Sequence, residues 1–211
     1  RGDQDYWVAM LDVPTRPEFL ADNHCYGTVM NFRDDSEIWP DIWEWDFGDP
    51  LSGANSSNEQ HPLHQFSAPG DYDITLTVTS EHGCVGSLTK SDYINAYPIP
   101  LASFSFAPNE VTIVDKEVMF TDQSIIASTW QWDLGDGTTS TSFDPSNTFT
   151  ETGEYNTSLY IVDVNGCTDS TSAVIIVEGL STLIIPNVFT PNGDGSNDVF
   201  NLTGTNITEK K

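Results

Sequence analysis

Positively charged residues are scarce in this sequence of 211 residues. Seven lysines and arginines stand against 32 aspartates and glutamates, so the formal net charge at pH 7 is −25. A chain with this charge repels phosphate backbones and anionic lipid surfaces, which excludes nucleic acids and charged membrane surfaces as partners. No run of about 18 apolar residues is present either, so nothing in the sequence predicts a membrane-spanning helix. We expect partners that are cationic, polar or metal ions.

Motifs of catalytic sites are lacking as well. The sequence contains no nucleophile elbow, no paired metal-binding histidines and no glycine-rich phosphate loop. Carboxylates are plentiful, but no spacing sets two of them across a cleft as a glycosidase requires. The four histidines, His24, His61, His64 and His82, could form a metal site. The alternative is hydrogen bonding at a strand entrance, which would explain both His64 and Asn147, since the pattern around one returns around the other. We expect a protein that is not an enzyme.

Cysteine is rare, with three residues in the chain, so at most one disulfide can form within it. Cys25 precedes one candidate strand and Cys84 follows a long alternating one. We predict a disulfide between Cys25 and Cys84 in an oxidising, extracytoplasmic compartment, which leaves Cys167 as a half-buried free thiol. Three inert buried thiols are the alternative.

One stretch of the sequence occurs twice, with Trp45 and Trp132 lying 87 residues apart. Aromatic residues that run into a Gly-Asp pair predict a strand that ends in a tight corner. A repeat of this length is typical of tandem sandwich domains and too long for a solenoid. The two copies are Trp43-Glu44-Trp45-Asp46-Phe47-Gly48-Asp49 and Trp130-Gln131-Trp132-Asp133-Leu134-Gly135-Asp136.

Strand-like patterns fill both repeats, and none has helical spacing. Residues 72–79 alternate strictly between apolar and polar side chains, which predicts an antiparallel strand with one wet face. Short, turn-separated strands in the second repeat indicate an all-β sandwich; the candidates are residues 102–106, 111–114, 118–121, 129–134, 155–162 and 172–177. The sequence therefore predicts an all-β fold of two tandem sandwiches plus a short C-terminal β segment.

The domain boundaries follow from the repeats and from a proline-rich stretch, Tyr97-Pro98-Ile99-Pro100. Because the chain begins without methionine, we interpret it as part of a longer protein. Roughly thirty residues after the second repeat are too few to bury a core, so they are expected to pair with that repeat, a partner or later sequence. We predict a preceding module or linker at 1–10, domain 1 at 11–97, a linker at 98–100, domain 2 at 101–178 and an incomplete third segment at 179–211.

The Trp-Asp-Phe-Gly-Asp motif, the later Phe-x-x-x-Gly-x-Tyr pattern and the alternating strand resemble the PKD domain, an immunoglobulin-like β-sandwich. The resemblance covers about residues 11–178. Pro50 departs from the usual glycine after the motif, and Leu134 departs from phenylalanine. On the residues themselves, Asp46 and Asp133 are expected to accept backbone amides at a corner, and Asp49 and Asp136 to be turn residues.

The third segment resembles the opening of the gliding-motility-associated C-terminal domain, a sorting signal for the bacterial type IX secretion system. The resemblance implies a sorting and docking segment, an outer-membrane secretion or anchoring protein as partner, and a parent of the gliding-adhesin kind. Domains of that family are longer than the remaining sequence. The implied residues are Ile185, Pro186, Asn187, Val188, Phe189, Thr190, Pro191, Asn192, Gly193, Asp194, Gly195, Asn197 and Asp198.

Two smaller motifs indicate ligand binding and modification. Asn192, Asp194, Ser196 and Asp198 alternate in a glycine-rich loop, which predicts either a calcium loop or a plain turn network. No other cofactor is expected. The tripeptide Asp169-Ser170-Thr171 resembles the O-glycosylation signal of bacteria with this secretion system, which implies modification at Ser170.

Two functional hypotheses follow. The first is a non-catalytic stalk of a surface adhesin, exported across the outer membrane, that binds a surface polysaccharide or protein and does not insert into a membrane. The second is a set of accessory PKD modules in a secreted enzyme that degrades polysaccharide or protein. Exposed rings of Trp7, Trp39 and Trp43 would stack on sugars in the second case, so their burial discriminates between the hypotheses.

Overall fold

The computed structural model describes residues 15–37, 40–180, 182–184 and 203–205. All regular elements in these ranges are β-strands, which confirms the predicted all-β fold. In chain order they are β1 (Phe19–Leu20), β2 (His24–Cys25), β3 (Met30–Asn31), β4 (Arg33–Asp34), β5 (Pro40–Asp46), β6 (Ser56–Ser57), β7 (Leu63–His64), β8 (Gly70–Ser80), β9 (Val85–Tyr97), β10 (Phe104–Ala107), β11 (Val111–Thr112), β12 (Glu117–Asp122), β13 (Thr129–Asp133), β14 (Thr139–Ser140), β15 (Ser146–Thr148), β16 (Gly153–Val162), β17 (Thr168–Glu178), β18 (Thr182–Ile184) and β19 (Thr203–Thr205).

The larger sheet of the first repeat has the strand order β2-β9-β8-β5-β6, and the pairs β1-β4 and β3-β7 complete the repeat. The central strand, β8, runs antiparallel to both β5 and β9. Its residues Ile74, Leu76 and Val78 are buried, whereas the threonines between them are partly exposed. This confirms the strand that the alternation over residues 72–79 predicts.

A buried tryptophan is the centre of the core of the first repeat. The rings of Phe19 and Phe32 meet Trp45 edge-on, with centroids 5.4 and 5.8 Å away. The indole Nε1 donates to the Glu59 carbonyl at 2.9 Å, so the one polar atom of this ring is satisfied inside the core. Trp45 therefore fixes β5 against the facing strands by both packing and a hydrogen bond.

The second repeat is built on the same plan. Its larger sheet has the order β11-β17-β16-β13-β14, and its smaller sheet has the order β10-β12-β15. Trp132 is buried between Phe104 and Phe120, and its Nε1 donates to the Ser142 carbonyl at 3.0 Å. Leu134 is buried at the position that Phe47 occupies in the first repeat, so the departure from phenylalanine keeps an apolar core residue there.

The chain consists of two compact units, each holding one core. The first unit comprises Arg1–Ile99 with Val164–Cys167, and the second comprises Pro100–Asp163 with Thr168–Lys211. Apart from residues 164–167, the first unit therefore ends at residue 99 and the second begins at residue 100. The other domain limits given above remain predictions.

The predicted Cys25–Cys84 disulfide is wrong. Cys25 lies in β2, which pairs with the last residues of β9, whereas Cys84 directly precedes the first residue of that strand. β9 has 13 residues, and at about 3.3 Å per residue its two ends are about 40 Å apart. Two cysteines with Cα atoms more than about 7 Å apart cannot form a disulfide without backbone movement.

The disulfide instead joins Cys25 to Cys167, with their Cα atoms 5.6 Å apart. Cys167 is therefore not the half-buried free thiol of the prediction but a buried, bonded residue. Cys84 is half-buried and takes no part in this bridge. One bridge forms from three cysteines, as the count allows, but with a different partner.

A lysine ties β1 to β9 in the first repeat. Lys90 Nζ contacts the Glu18 carboxylate, donates to the Phe19 carbonyl at 2.7 Å, and lies over the rings of Phe19 and Tyr93 at 4.4 and 4.7 Å from their centroids. The hydrogen bond from Lys90 lowers the pKa of Glu18. This pair is half exposed, so solvent screens it and its contribution to stability is modest.

Candidate functional site

Both repeats turn the same corner at the end of the strand that carries the buried tryptophan. In the first repeat, Asp46 Oδ1 accepts the Gly48 amide at 2.9 Å. In the second, Asp133 Oδ1 accepts the Gly135 amide at 3.0 Å. The prediction that these two aspartates accept backbone amides is confirmed.

The glycine of each corner lies directly against the neighbouring strand. Gly48 has a φ of +66°, and a Cβ built on it would lie 2.5 Å from the Asp73 carbonyl oxygen. Gly135 has a φ of +86°, and its Cβ would lie 2.9 Å from the Asn156 amide nitrogen. Only glycine accepts both the left-handed backbone and this close approach, which explains the Gly-Asp pair in both copies of the motif.

A buried polar cluster follows the corner of the first repeat. Asp49 is 2% exposed, and its carboxylate accepts the Ser67 amide at 2.7 Å and the Ser67 hydroxyl at 2.5 Å. His64 is 3% exposed, with Nε2 3.3 Å from the same carboxylate. Asp49 is therefore more than a turn residue, since it collects donors from the later segment of residues 64–67.

Burial and hydrogen bonding act in opposite directions on the Asp49 carboxyl. Burial raises the pKa of Asp49, but the hydrogen bonds from Ser67 and His64 outweigh burial and hold that pKa below its ordinary value. Burial also lowers the pKa of His64, and the nearby carboxylate does not compensate. At neutral pH the cluster therefore holds a carboxylate and a neutral imidazole.

The loop after this corner is closed by one asparagine. The Asp49 amide donates to Asn55 Oδ1, Asn55 Nδ2 donates to Asp46 Oδ1 at 2.8 Å, and the Asn55 carbonyl accepts the Phe47 amide at 2.9 Å. Leu51 lies within this loop with 85% of its surface exposed. The sequence identifies a surface loop here but not the role of Asn55, because an asparagine in a polar loop carries no pattern of its own.

The second repeat has a similar cluster with different groups. Asp136 accepts the Thr138 amide at 2.9 Å, the Thr138 hydroxyl at 2.5 Å and Asn147 Nδ2 at 2.8 Å. Burial raises the pKa of Asp136, but the hydrogen bonds from Asn147 and Thr138 outweigh it and lower that pKa overall. Asn147 thus occupies the place of His64, which confirms the hydrogen-bonding role that the sequence predicts for both.

Aspartate, histidine and serine meet in the first repeat, but their order is not that of a nucleophile with its base. Ser67 Oγ donates to the Asp49 carboxylate, and His64 contacts the same carboxylate through Nε2. A serine nucleophile requires the imidazole to accept the hydroxyl proton. The arrangement instead joins the corner to residues 64–67 through one carboxylate, which is a structural role.

The outward faces of the two larger sheets differ. In the first repeat, Thr75 and Thr89 are hydrogen-bonded at 2.8 Å across β8 and β9, as are Thr77 and Ser87 at 3.0 Å. The second repeat instead exposes apolar and aromatic groups, with Tyr160, Val174 and Ile176 at 42, 53 and 54% exposure. The signal for this face was the continuous apolar run over residues 173–177, which departs from alternation.

The remaining predicted sites are scattered or lie outside the described residues. Ser170 is exposed in β17, and the neighbouring Asp169 accepts the Ala102 amide at 2.8 Å. Trp43 is half-buried and donates through Nε1 to Asp34 Oδ2 at 2.8 Å, so it is not a free ring for stacking on sugars. Outside the described part of the chain lie residues 1–10 with Trp7, Trp39, the calcium residues (Asn192, Asp194, Ser196, Asp198) and the sorting segment 185–198.

Among the described residues, no group of three or more histidine, cysteine, aspartate or glutamate side chains is arranged to hold a metal ion. Within the same ranges, no helix is long and apolar enough to cross a lipid bilayer.

Comparison with known proteins matches both repeats to the same family. The family model described as PKD domain matches residues 16–96 and again residues 95–177. Collagenase ColA of Clostridium perfringens is 37% identical over 57 residues, which cover 27% of this chain and 5% of the collagenase. The chain therefore spans a small fraction of the length of that curated relative.

Two solved structures of single domains are similar to parts of the chain. The PKD1 domain of the Vibrio cholerae metalloprotease PrtV is 27% identical, with a TM-score of 0.34, and the match covers 38% of this chain and 98% of that domain. The PKD1 domain of Vibrio anguillarum Epp is also 27% identical, with a TM-score of 0.35, and the match covers 39% of this chain and 96% of that domain.

Proposed function

Both repeats of this chain belong to the PKD domain family, and from that premise we propose that the chain is a non-catalytic extracellular segment of a surface adhesin. The two domains act as a stalk in a protein exported by a type IX secretion system. Residues 179–211 act in secretion and in docking to an outer-membrane partner. The parent is then held at the cell surface, where it binds a polysaccharide or protein.

The observation that supports the non-catalytic role is that the polar side chains at the corner are bonded to one another inside the domain. Ser67, His64 and Asp49 are of the three residue types found in a hydrolytic triad, but the serine hydroxyl donates to the carboxylate and not to the imidazole. Asp49 and His64 are almost fully buried, where no substrate reaches them. Their role is to hold chain segments together, as expected of a load-transmitting module.

The disulfide supports an extracellular location. Cys25 and Cys167 are bonded, and disulfides form and persist in oxidising compartments outside the cytoplasm.

The secretion role is supported by the resemblance of residues 186–198 to a type IX sorting domain and by the strands around them. Among the described residues, β18 and β19 pair antiparallel, with Thr182 opposite Thr205. On this proposal a strand from a docking partner adds to this pair. On this proposal the loop with Asn192 and Asp194 binds calcium, and exposed Ser170 carries the glycan.

The experiment that tests the proposal is deletion of residues 179–211 from the parent protein in its native cell. We expect loss of export or of anchoring, measured by cell fractionation and by protease accessibility on intact cells. A matched control shuffles residues 186–198 and keeps length and composition; it is expected to fail in the same way. Unchanged export and anchoring of the deletion variant would overturn the secretion role.

A second function, accessory modules of a secreted hydrolase, is favoured by the similarity to a stretch of collagenase ColA. The partial burial of Trp43 and its hydrogen bond to Asp34 count against the sugar-binding form of this function. Intact-mass analysis of the parent and purification of its partners separate the two functions. An outer-membrane protein that co-purifies through the C-terminal segment supports the adhesin, and a freely secreted chain with a catalytic domain supports the hydrolase.

A further inference from the structure

The polar clusters of the two repeats differ in one group that titrates near neutral pH. His64 in the first repeat and Asn147 in the second contact the Oδ2 atoms of Asp49 and Asp136. Imidazole has an unperturbed pKa of about 6.5, whereas a carboxamide does not titrate. At this position, a proton can therefore bind in one repeat and not in the other.

The surroundings of His64 are apolar on both sides of the ring. Phe47 stacks on the imidazole with centroids 4.3 Å apart, and Phe66 meets it edge-on at 4.6 Å. Strand β3, which pairs with β7, and the segment that carries Phe66 and Ser67 contain no charged residue. Among the described contacts of the ring, Asp49 supplies the charge and the Ala54 backbone supplies a hydrogen bond.

The Asp49 carboxylate is poorly placed to stabilise an imidazolium. It already accepts two hydrogen bonds from Ser67, at 2.5 and 2.7 Å. His64 lies at 3.3 Å, whereas charge-assisted N–H···O bonds are about 2.7–2.9 Å. Protonation would therefore place a second charge between two phenyl rings with incomplete compensation, which is the costly case for a buried pair. Burial lowers the pKa of His64 for this reason.

We propose that His64 makes the corner of the first repeat an acid-sensitive element, in which protonation of the imidazole opens the loop Asp49–Asn55. A displacement of Asp49 would open this loop because two backbone groups of Asp49 are bonded to it. The Asp49 amide donates to Asn55, and the Asp49 carbonyl accepts the Ser52 amide at 3.1 Å. The second repeat stays closed over the same pH range. This inference goes beyond the proposed function and does not rest on it.

The pH window follows from the direction of the two pKa changes. The folded pKa of His64 lies below 6.5, so the closed corner has its full stability above that pH and loses it as the pH falls. The folded pKa of Asp49 lies below 3.8, so its contribution is lost only at much lower pH. Opening that develops as the pH falls below about 6.5, before Asp49 titrates, therefore reports on the histidine.

Hydrogen exchange of the full chain, followed by mass spectrometry, tests the proposal. Exchange is measured between about pH 7.5 and 5 and corrected for the intrinsic rate at each pH, with residues 134–149 as internal reference. The opening constant of residues 47–66 is expected to rise as the pH falls, by at most about tenfold per pH unit for one proton. An equal change in both repeats, or none in the first, would overturn the proposal.

Two variants, each carrying the residue that the other repeat has at this position, serve as controls. His64→Asn copies the second repeat and is expected to flatten the pH profile of residues 47–66. Asn147→His places an imidazole at a half-buried position beside the exposed Asp136, without the burial that disfavours protonation of His64, and is expected to introduce no comparable rise in the second repeat. A wild-type profile in His64→Asn overturns the proposal. If that variant does not fold, the imidazole resonance of His64 in the wild-type chain decides, since a titration midpoint above 6.5 contradicts the proposal and one below supports it.

Discussion

Replacing Gly48 with alanine isolates the contact that defines the corner. The new Cβ would lie 2.5 Å from the Asp73 carbonyl oxygen, a distance that real Cβ atoms do not show, at a φ of +66°. The left-handed backbone costs about 1–2 kcal/mol for an alanine, and the overlap adds about 1–3 kcal/mol as overpacking does elsewhere. Gly48→Ala is therefore expected to destabilise the first repeat by about 2–5 kcal/mol.

Gly53→Ala is the matched control in the same loop. Gly53 has a φ of +72° but no atom within 4 Å of its built Cβ, so it carries the backbone cost without the overlap. The second repeat offers the same comparison between Gly135, whose Cβ would lie 2.9 Å from Asn156, and Gly137, which faces open space. Native-state hydrogen exchange measures the opening free energy of each repeat separately. Equal losses for Gly48→Ala and Gly53→Ala would refute the steric argument.

Three further predictions test other parts of the structure. Peptide mapping without reduction is expected to recover Cys25 linked to Cys167, and a link from Cys25 to the third cysteine would contradict the structure. Leu159→Ala leaves a cavity at a fully buried site and should lower the free energy of unfolding in urea by about 2–5 kcal/mol. Tyr160→Ala, on the outward face of the same strand, should cost less than about 1 kcal/mol. Equal losses would count against the assignment of the two faces. Glu18→Gln should cost at most about 1 kcal/mol at neutral pH because the pair with its lysine is half exposed and screened by solvent. Since the Glu18 pKa is lowered from 4.5, this loss should begin to shrink below about pH 4.5 and vanish once the pH has fallen through the lowered pKa of the folded state, as measured in urea titrations.

The sequence predicts those parts of the fold that arise from short-range periodicity. Strict alternation identifies β8, because period two is a property of any strand with one buried face. The repeated Trp-Asp motif identifies β5 and β13 together with their corners, because each copy supports the assignment of the other. β14 and β15 are missing from the prediction, since two or three polar residues carry no periodic signal.

Long-range partners are the part that the sequence does not predict. Sequence position places Cys25 and Cys84 in one repeat, but the length of β9 separates them and a cysteine 142 residues away is the partner. Likewise Ser67 carries no pattern that links it to Asp49. In both cases the pairing depends on which strand ends meet, a property of topology and not of local sequence.

The two corners show how the same requirement is met by different residues. Asp136 receives an amide and a hydroxyl from Thr138, two residues further along, in the short turn of the second repeat. In the first repeat Asn55 lies at the position of Thr138, because its carbonyl accepts the Phe47 amide as the Thr138 carbonyl accepts the Leu134 amide. The Asn55 side chain accepts the Asp49 amide, and the Asp49 carboxylate receives an amide and a hydroxyl from Ser67, 18 residues distant. The Asp49 carboxylate is buried and must be satisfied by donors, whereas Asp136 is exposed and its donors add to what solvent supplies. Because the first repeat meets this need through a distant segment, its corner closes only when residues 64–67 are in place, whereas the corner of the second repeat is closed in part by its own turn.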